Sequence, residues 1–434
     1  MTKNIIEEYL EKRAIRKPWE VELPEKLSHL SQVIVVPAYD ELEYLPKLLD
    51  SLAKNNHKIC EETLVIVVVN NKEEGITPPE VINRNQETLA YLRKTQNSKE
   101  YPFHIGIIDA SSKSFEIPPT SGVGLARKIG MDWGIKLLFN SGKENGGLIC
   151  LDADCEVSEN YLSEWKNFFE QNQNTSGIMA FAHPTDATEI GKAMMHYEIF
   201  LRLYELCLFY ANSPYSYIPI GSTIGVGAKL YASVGGMNTK NAGEDFYFLQ
   251  KVAKVAEIRK ISSATVYPSA RLSHRVVFGT GAKIKEYITF PEKMNLFYPF
   301  ESFEILRKWI AILDAPKETP ELMLKKASEI HPELMQFLIE CHWLEKVTKI
   351  YKESKSKKQL SRRLHEWFDG LKTLRLLNYL RDKVFGYESI PVVGQMITEK
   401  IFNIEIDFSL TNKSQILNFL RERWKDIGGG GIRS

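Results

Sequence analysis

The sequence predicts an α/β protein with a doubly wound, Rossmann-like sheet, followed by a mainly helical region. Four short apolar runs alternate with helical patterns between residues 31 and 151, and a proline or a polar residue directly follows each run. Strand-like runs become rare after about residue 285. Continuous apolar strands are typical of parallel sheets that are covered on both faces. Such sheets bind ligands beyond the carboxyl ends of their strands, so we expect the chemistry of this chain there.

Each apolar run predicts one strand of this sheet. The runs are residues 33–36, 64–69, 104–108 and 147–151, and the residues that follow them are Pro37, Asn70, Asp109 and Asp152. Leucines at helical spacing over residues 42–52 predict a helix after the first strand. Further helices are expected near residues 87–94 and over residues 124–139. Strands and helices therefore alternate along this part of the chain.

The chain divides into three predicted segments. Residues 1–30 form a polar lead-in with one short amphipathic helix, residues 31–285 form the sheet-based domain, and residues 286–434 form a helical domain. The stretch 346–363 is rich in Lys, Ser and Arg and is interpreted as a solvated helix face, with docking to a membrane surface as the alternative. The apolar stretch 193–210 is interpreted as a core helix rather than one that binds a membrane or an acceptor.

Composition argues against several classes of protein. A formal net charge of +1 in 434 residues offers no strongly basic face for a nucleic acid. No stretch approaches the roughly 18 consecutive apolar residues of a membrane-spanning helix, and the first residues lack the apolar core of a secretory signal. The five cysteines lack CxxC spacing, which argues against a disulfide framework and a structural zinc site. We therefore expect a cytoplasmic protein, with peripheral contact to the inner face of the membrane as an alternative.

The most informative motif is a pair of carboxylates that follows the fourth apolar run. Asp152 and Asp154 are two residues apart, so both lie on one side of the strand if the extended conformation persists. Such hard oxygen ligands suit Mn²⁺ or Mg²⁺, which would bridge the two phosphates of a nucleoside diphosphate and act as a Lewis acid. The alternative is a turn in which an aspartate merely caps the following helix.

Three further motifs accompany this pair: VIVVPAYDE at 33–41, GVGLARKIG at 122–130 and GEDF at 243–246. Together with the DAD motif at 152–154, they resemble the family 2 glycosyltransferases of a bacterial type with a C-terminal helical extension. The resemblance covers residues 31–285 and implies a GT-A fold. It also implies hexosyl transfer from a nucleotide-sugar to an acceptor hydroxyl, with a divalent cation and inversion at the anomeric carbon. The QxxRW motif of processive synthases is absent, so we expect transfer of a single sugar.

The resemblance assigns several residues to the nucleotide-sugar donor, with UDP-sugars favoured and GDP-sugars as the alternative. Glu41 matches an acidic residue near the nucleotide, although it also suits a helix start. Asp109 is a candidate for base contact, although strand-end aspartates commonly form turns. The complete set of donor-binding candidates is Pro37, Ala38, Tyr39, Glu41, Asn70, Asp109, Arg127, Lys128, Asp152 and Arg275. Asn70 stands where the family has an aspartate, and Lys128 stands where it has an asparagine.

The resemblance also assigns catalysis and the cation. Asp245 matches the general base that takes the proton of the acceptor hydroxyl, and Glu244 beside it would contact or orient the acceptor. The alternative is an acidic first turn of a helix. Asp152, Asp154 and His274 are the candidate cation ligands. Arg275 would hold the leaving diphosphate, and the loop over residues 279–281 has the glycines that a closing movement needs.

Three rival functions remain at this point. A retaining transferase would keep the cation site without using Asp245 as a base. A nucleotidyltransferase also binds nucleotides on an α/β sheet, but it normally has a Gly-rich signature where PAYDE stands here. A catalytically silent sugar-nucleotide-binding or scaffold protein would retain binding alone. The acceptor, a glycan, a lipid-linked sugar or a small metabolite, is not encoded in a readable motif, and we expect the helical domain to help bind it or to form an oligomer contact.

Overall fold

A computed structural model of the chain describes residues 4–24, 27, 29–271 and 280–432. The strands in chain order are β1 (Val21–Glu22), β2 (Gln32–Ala38), β3 (Thr63–Asn70), β4 (His104–Ala110), β5 (Gly147–Cys150), β6 (Cys155–Val157), β7 (Ser176–Phe181), β8 (Ile224–Gly227), β9 (Ile258–Pro268), β10 (Leu296–Phe297) and β11 (Glu388–Ser389). The α-helices are α1 (Ile5–Lys12), α2 (Leu45–Ala53), α3 (His57–Cys60), α4 (Pro79–Ser98), α5 (Val123–Asn140), α6 (Tyr161–Gln171), α7 (Glu189–Tyr210), α8 (Ala228–Ser233), α9 (Glu244–Ala253), α10 (Thr280–Thr289), α11 (Phe300–Asp314), α12 (Pro320–Ile330), α13 (Pro332–Glu340), α14 (Trp343–Glu353), α15 (Lys357–Trp367), α16 (Gly370–Leu380), α17 (Ile390–Phe402) and α18 (Lys413–Arg423).

The chain forms two compact units. The first consists of Met1–Pro184, Pro219–Val252 and Ile258–Ala282. The second consists of Thr185–Ile218, Ala253–Glu257 and Lys283–Ser434. Helix α7, which contains the apolar stretch 193–210, therefore belongs to the second unit although it lies between strands of the first in sequence.

The first unit is built on a mixed sheet. Among the described residues it has nine strands, in the order β1-β4-β3-β2-β5-β8-β7-β9-β6. The neighbouring strands β4, β3, β2 and β5 are mutually parallel. The chain proceeds outward from β2 through β3 to β4 and then returns to β5 on the other side of β2. This reversal makes the gap between β2 and β5 the switch point at which doubly wound sheets bind ligands.

The sequence correctly predicts the central strands and the helix that follows β4. Every residue of β2 and β3 is buried, because β-branched side chains on both faces of these strands are covered. Helix α5 buries 12 of its 18 residues, which makes it a core helix with little amphipathic character. The predicted α/β class, with a mainly helical C-terminal part, is confirmed by this architecture.

The segment predicted as a polar lead-in is packed into the first unit. Strand β1 pairs antiparallel with β4 at the edge of the sheet. Tyr9 of α1 is buried and its hydroxyl donates a hydrogen bond of 2.6 Å to Asp132 of α5. The indole of Trp19 donates to the carbonyl of Phe115 at 2.6 Å. These contacts link the first 22 residues to elements more than 80 residues away in sequence.

The second unit is mainly helical. Trp309, Trp343 and Phe368 pack edge to face in its interior. Most of the basic stretch 346–363 lies in α14 and α15, where Arg363 pairs with Glu353 at 2.5 Å and Arg362 with Glu366 at 3.0 Å. In the part of the chain that the structure describes, no helix has the length and apolar character needed to cross a bilayer.

Candidate active site

Acidic residues follow the two strands that flank the switch point. Asp40 and Glu41 follow β2, and Asp152 and Asp154 follow β5. Glu41 is buried, whereas the two aspartates are partly exposed. The edge of the sheet at this point therefore carries a concentration of negative charge that needs counter-ions.

Arg127 is the first of these counter-ions. Its guanidinium donates to Asp152 through Nη2 and to Glu244 through Nη1, and only 4% of the side chain is exposed. Gly221 lies directly against it, since a Cβ there would be 2.3 Å from Nη1. Burial alone would lower the pKa of Arg127, but the two carboxylates outweigh burial and raise it. One buried arginine thus joins the GVGLARKIG, DAD and GEDF motifs.

Arg271 is the second counter-ion. Its Nε donates to Oδ2 of Asp154 at 2.8 Å, and its Nη2 donates to Oε1 of Glu41 at 2.5 Å. The hydroxyl of Ser269 donates to the same oxygen of Asp154 at 2.7 Å. The guanidinium lies over the ring of Tyr44, with 4.4 Å between its Cζ and the ring centroid. Arg271 therefore joins the end of β2 to the DxD motif.

The two aspartates do not continue the strand. Strand β5 ends at Cys150, and the amide of Cys155 donates to the carbonyl of Asp152 at 3.1 Å, which closes a turn. The extended conformation, on which the same-side arrangement depended, does not persist because of this turn. Asp152 interacts with Arg127, whereas Asp154 interacts with Arg271. Neither aspartate is the N-cap of helix α6, which is Asn160.

The predicted catalytic pair lies in the first turn of α9, where the positive end of the helix favours acidic side chains. Gly243 has a φ of +69° and turns the chain into this helix. Glu244 is buried, and its carboxylate accepts a hydrogen bond from Nη1 of Arg127. Burial, followed by the charge of Glu244, raises the pKa of Asp245 from its ordinary 3.8 to about 7. A carboxyl group with this pKa is suited to proton transfer at neutral pH.

The ends of β2 and β3 are held by a residue that the sequence analysis did not identify, Asn85 of α4. This fully buried side chain accepts from the amide of Asp40 at 2.9 Å and donates to the carbonyl of Asn70 at 3.2 Å. It also donates to Oδ1 of Asn71 at 2.9 Å. Oδ1 of Asn70 is itself buried without a described hydrogen-bond partner. Pro37 and Ala38 are buried within β2, and Tyr39 follows them at the strand end.

Two aspartates at strand ends, the candidate Asp109 and Asp40, have local structural partners. Oδ1 of Asp109 accepts from the amides of Ser111 and Ser112 at 3.0 and 2.9 Å, which is the turn-forming role that was left open for it. Asp40 forms an ion pair with Arg84, with 2.7 Å between Nη2 and Oδ2. Neither carboxylate is in the cluster around Arg127 and Arg271.

Lys128 does not reach the acidic cluster. Its Nζ lies 2.9 Å from Oδ2 of Asp132 and donates to the hydroxyl of Tyr9 at 2.7 Å. The hydroxyl of Tyr231 donates to the same carboxylate at 2.8 Å. Lys128 is therefore the counter-ion of a buried carboxylate, and the structure does not bring it together with the other donor-binding candidates.

The first two glycines of the GVGLARKIG motif at 122–130 are used for packing. A Cβ at Gly124 would lie 2.5 Å from the carbonyl oxygen of Lys240, and one at Gly122 would lie 3.1 Å from that of Asn241. These glycines let the loop that leads to Glu244 approach the start of α5. The side chain of Asn238 also donates to the carbonyl of Glu244 at 2.8 Å. Through this packing, α5 places Arg127 beside the ED motif.

The described residues do not form an all-protein cation site. No group of three or more His, Cys, Asp or Glu side chains among them is arranged to hold a metal ion. The side-chain hydrogen bonds described for these aspartates are to Oδ1 of Asp152 and to Oδ2 of Asp154, and both side chains are partly exposed. Two carboxylates that are completed by phosphate oxygens and water are a usual arrangement for Mg²⁺, so the residues fit a cation that arrives with a nucleotide. His274 and Arg275 lie outside the described residues.

Comparisons with known proteins give only distant similarity. No family model matches the sequence, and no curated protein matches it. The chain is similar to S. aureus TarS 1–349 in complex with UDP-GlcNAc, at 13% identity over 81% of this chain and 92% of that chain, with a TM-score of 0.38. It is also similar to GalNAc-T7 with UDP, GalNAc and Mn²⁺, at 14% identity over 74% of this chain and 58% of that chain, with a TM-score of 0.36. Similarity at this level carries no weight for function, so the case for an activity depends on the residues of the chain itself.

Proposed function

We propose that the chain is a glycosyltransferase with a GT-A core that transfers a single sugar from a nucleotide-sugar to an acceptor hydroxyl. One observation carries this proposal. The four motifs that resemble those of family 2 glycosyltransferases meet in one charge cluster, in which Arg127 and Arg271 connect acidic residues from three distant segments. The cluster lies at the switch point of the sheet, where ligands of doubly wound proteins bind. Charges brought together at a partly buried position cost free energy, which favours a role in binding over one in folding.

The donor is proposed to bind across the carboxyl ends of β2, β3 and β5. Oδ1 of Asn70 supports this position for the base, because a buried acceptor without a described partner is suited to a donor on a ligand. Tyr39, like Glu41, follows the end of β2, and its ring could stack on the base of the nucleoside. UDP-sugars are favoured as donors, and GDP-sugars are the alternative.

Asp152 and Asp154 are proposed to hold Mn²⁺ or Mg²⁺ together with the donor diphosphate. When bound, the cation neutralises charge on the departing nucleotide as a Lewis acid. Arg127 donates to one oxygen of Asp152, Oδ1. It also adds fixed positive charge beside the diphosphate, which stabilises the charge that develops during transfer.

Asp245 is proposed to take the proton of the acceptor hydroxyl as the oxygen attacks the anomeric carbon, with inversion. Its pKa of about 7 keeps it basic enough for this transfer and partly ionised at neutral pH. Glu244 is committed to Arg127, so its part is to hold the first turn of α9 in place and thereby to orient Asp245. We propose that the helical second unit helps to bind the acceptor, and that the protein acts in the cytoplasm.

A thermal-shift titration tests the donor and cation sites. UDP with Mn²⁺ is expected to raise the melting temperature of the wild type by about 5 °C at a hundredfold excess over Kd. Asp154→Asn is expected to abolish the part of the shift that depends on Mn²⁺. Asp50→Asn removes an exposed carboxylate of α2 outside the cluster and is the matched control.

The absence of a shift with UDP, GDP and their sugars in the folded wild type would overturn the proposal. If binding is found, release of UDP from a panel of UDP-sugars separates an enzyme from a silent binding protein. Asp245→Asn is expected to lower kcat by about a thousandfold while it leaves the UDP-dependent thermal shift intact. The anomeric configuration of the product, measured by NMR, separates inversion from retention.

A further inference from the structure

Arg271 and Arg127 neutralise the same acidic cluster but are held very differently. Arg127 is 4% exposed and fixed between two carboxylates, with Gly221 against its guanidinium. The side chain of Arg271 is 23% exposed, and its flat face lies on the ring of Tyr44. Removal of Arg127 would leave a buried charge unpaired, whereas Arg271 can exchange its partners for solvent or for a ligand without unpacking the core.

The partners of Arg271 are the groups that the proposed function needs. Its two donated hydrogen bonds go to Oδ2 of Asp154 and Oε1 of Glu41, one from the proposed cation site and one from the strand end near the nucleotide. A divalent cation at Asp154 would lie about 2 Å from one oxygen of a carboxylate whose other oxygen, Oδ2, already accepts from the guanidinium of Arg271 at 2.8 Å. The cation and the guanidinium of Arg271 are both positive, and at this separation they repel each other strongly in a partly buried site.

We infer that Arg271 is an internal counter-cation that competes with the divalent cation for Asp154 and moves to the diphosphate when a nucleotide binds. This inference rests on the proposed function. The diphosphate offers Arg271 new acceptors in a geometry that suits a planar guanidinium, and it offers the divalent cation the additional oxygen ligands that two carboxylates do not supply. Each ligand therefore removes an obstacle to the other, so the cation and the nucleoside diphosphate bind cooperatively.

Thermodynamic reciprocity makes the inference measurable. If UDP raises the affinity for Mn²⁺ by a given factor, Mn²⁺ must raise the affinity for UDP by the same factor. In the wild type we expect this factor to be about tenfold or more. Arg271→Gln removes the competing charge and also the group that would contact the diphosphate. It is therefore expected to bind Mn²⁺ alone about tenfold more tightly and UDP alone about tenfold more weakly, with a smaller coupling factor.

The experiment measures Mn²⁺ binding by electron paramagnetic resonance, with and without UDP, and UDP binding by calorimetry, with and without Mn²⁺. The proteins are the full-length wild type, Arg271→Gln, Arg271→Lys and Arg84→Gln. Arg84 pairs with Asp40 beside the same strand end but outside the cluster, so its variant should bind both ligands as the wild type does. Arg271→Lys keeps the positive charge but lacks the forked donors of the guanidinium, so its affinities for Mn²⁺ and UDP should lie between those of the wild type and Arg271→Gln. It replaces Arg271→Gln in the experiment if that variant fails to fold.

Opposite changes in the two affinities would support the inference. Equal Mn²⁺ affinity in the wild type and Arg271→Gln would overturn it, because no competition would exist. Weaker Mn²⁺ binding in Arg271→Gln would also overturn it and would make Arg271 an organiser of Asp154. If neither protein binds Mn²⁺ even with UDP, the cation site of the proposed function fails, which is a separate result from a failure of the exchange.

Discussion

Asp245 is the residue whose chemistry depends most on its surroundings. It shares the first turn of α9 with Glu244, and burial together with this neighbour raises its pKa to about 7. Arg127 opposes the shift but is already divided between Glu244 and Asp152. The same arrangement that orients the proposed catalytic turn therefore also sets the proton affinity of the proposed base. A motif in a sequence identifies the residue, but its burial and the charges of Glu244 and Arg127 beside it determine its pKa.

The raised pKa of Asp245 predicts a pH-dependent stability. The folded state binds this proton more tightly than the unfolded state, so its contribution is fully present below pH 3.8 and is lost as the pH rises towards 7. Asp245→Asn has no proton to lose. Its stability relative to the wild type should therefore be greater at pH 8 than at pH 4, by about 4 kcal/mol, as measured by urea unfolding at both pH values.

The pH dependence of activity gives a second measurement of the pKa of Asp245. The kcat/KM of the wild type should rise with pH to a plateau above about 7, because the ionised carboxylate is the active form. The residual activity of Asp245→Asn should lack this rise. A stability difference that is the same at pH 4 and pH 8 would contradict the assignment of the raised pKa to Asp245.

At the scale of elements, the sequence predicts the elements that a local pattern defines, but not the contacts between residues that are distant in sequence. Strands β2 and β3 and helix α5 lie within two residues of their predicted bounds, because continuous apolar runs need no distant partner to be recognised. Strand β1 has two residues, and its pairing with β4 is a long-range contact that leaves no local pattern. Lys128 and Asp132 are a local i,i+4 pair within α5, but the contacts of Tyr9 and Tyr231 that enclose this pair come from distant elements.

The same division applies to the candidate site. Strand-end position and motif order select Asp152, Glu244 and Arg127, which the structure joins. Arg271 and Asn85 were not identified, because an arginine after β9 and an asparagine inside α4 have no distinguishing spacing. Their importance depends on hydrogen bonds to residues at least 14 positions away. Arg271 and Asn85 can be recognised only when it is known which strand ends lie next to each other.

Helix α1 provides the prediction at this scale. In the structure, Gly236 accommodates Tyr9 of α1. It has a φ of +73°, and a Cβ there would lie 2.0 Å from the Tyr9 hydroxyl oxygen. Gly236→Ala should therefore destabilise the protein by about 3 kcal/mol, from backbone strain and overpacking together. Gly75→Ala, at a φ of +91° with nothing within 4 Å, measures the strain alone and should cost about 1 kcal/mol.

Urea unfolding of the two variants checks this expectation, and the double variant with Tyr9→Phe refines it. Removal of the hydroxyl relieves the clash at Gly236, so the two substitutions should be coupled by about 1 kcal/mol. Equal costs for Gly236→Ala and Gly75→Ala would show that α1 is not held against this loop.

At the scale of the whole molecule, the proposed donor machinery is confined to one of the two units. Every described residue of the charge cluster belongs to the first unit, whereas α11 to α18 belong to the second. A ligand stabilises most strongly the region whose opening would break its contacts. Hydrogen exchange with UDP and Mn²⁺ should therefore slow in peptides that cover residues 36–44, 148–158 and 240–250, by at least about tenfold. The helices α12 to α16 should exchange at unchanged rates, and Asp154→Asn should lose the protection that depends on Mn²⁺.

Protection that spreads into α12 to α16 with the nucleotide and Mn²⁺ alone would contradict a donor site confined to the first unit and would make the second unit part of donor binding. Protection that reaches those helices only after an acceptor is added would instead identify them as the acceptor-binding part of the enzyme.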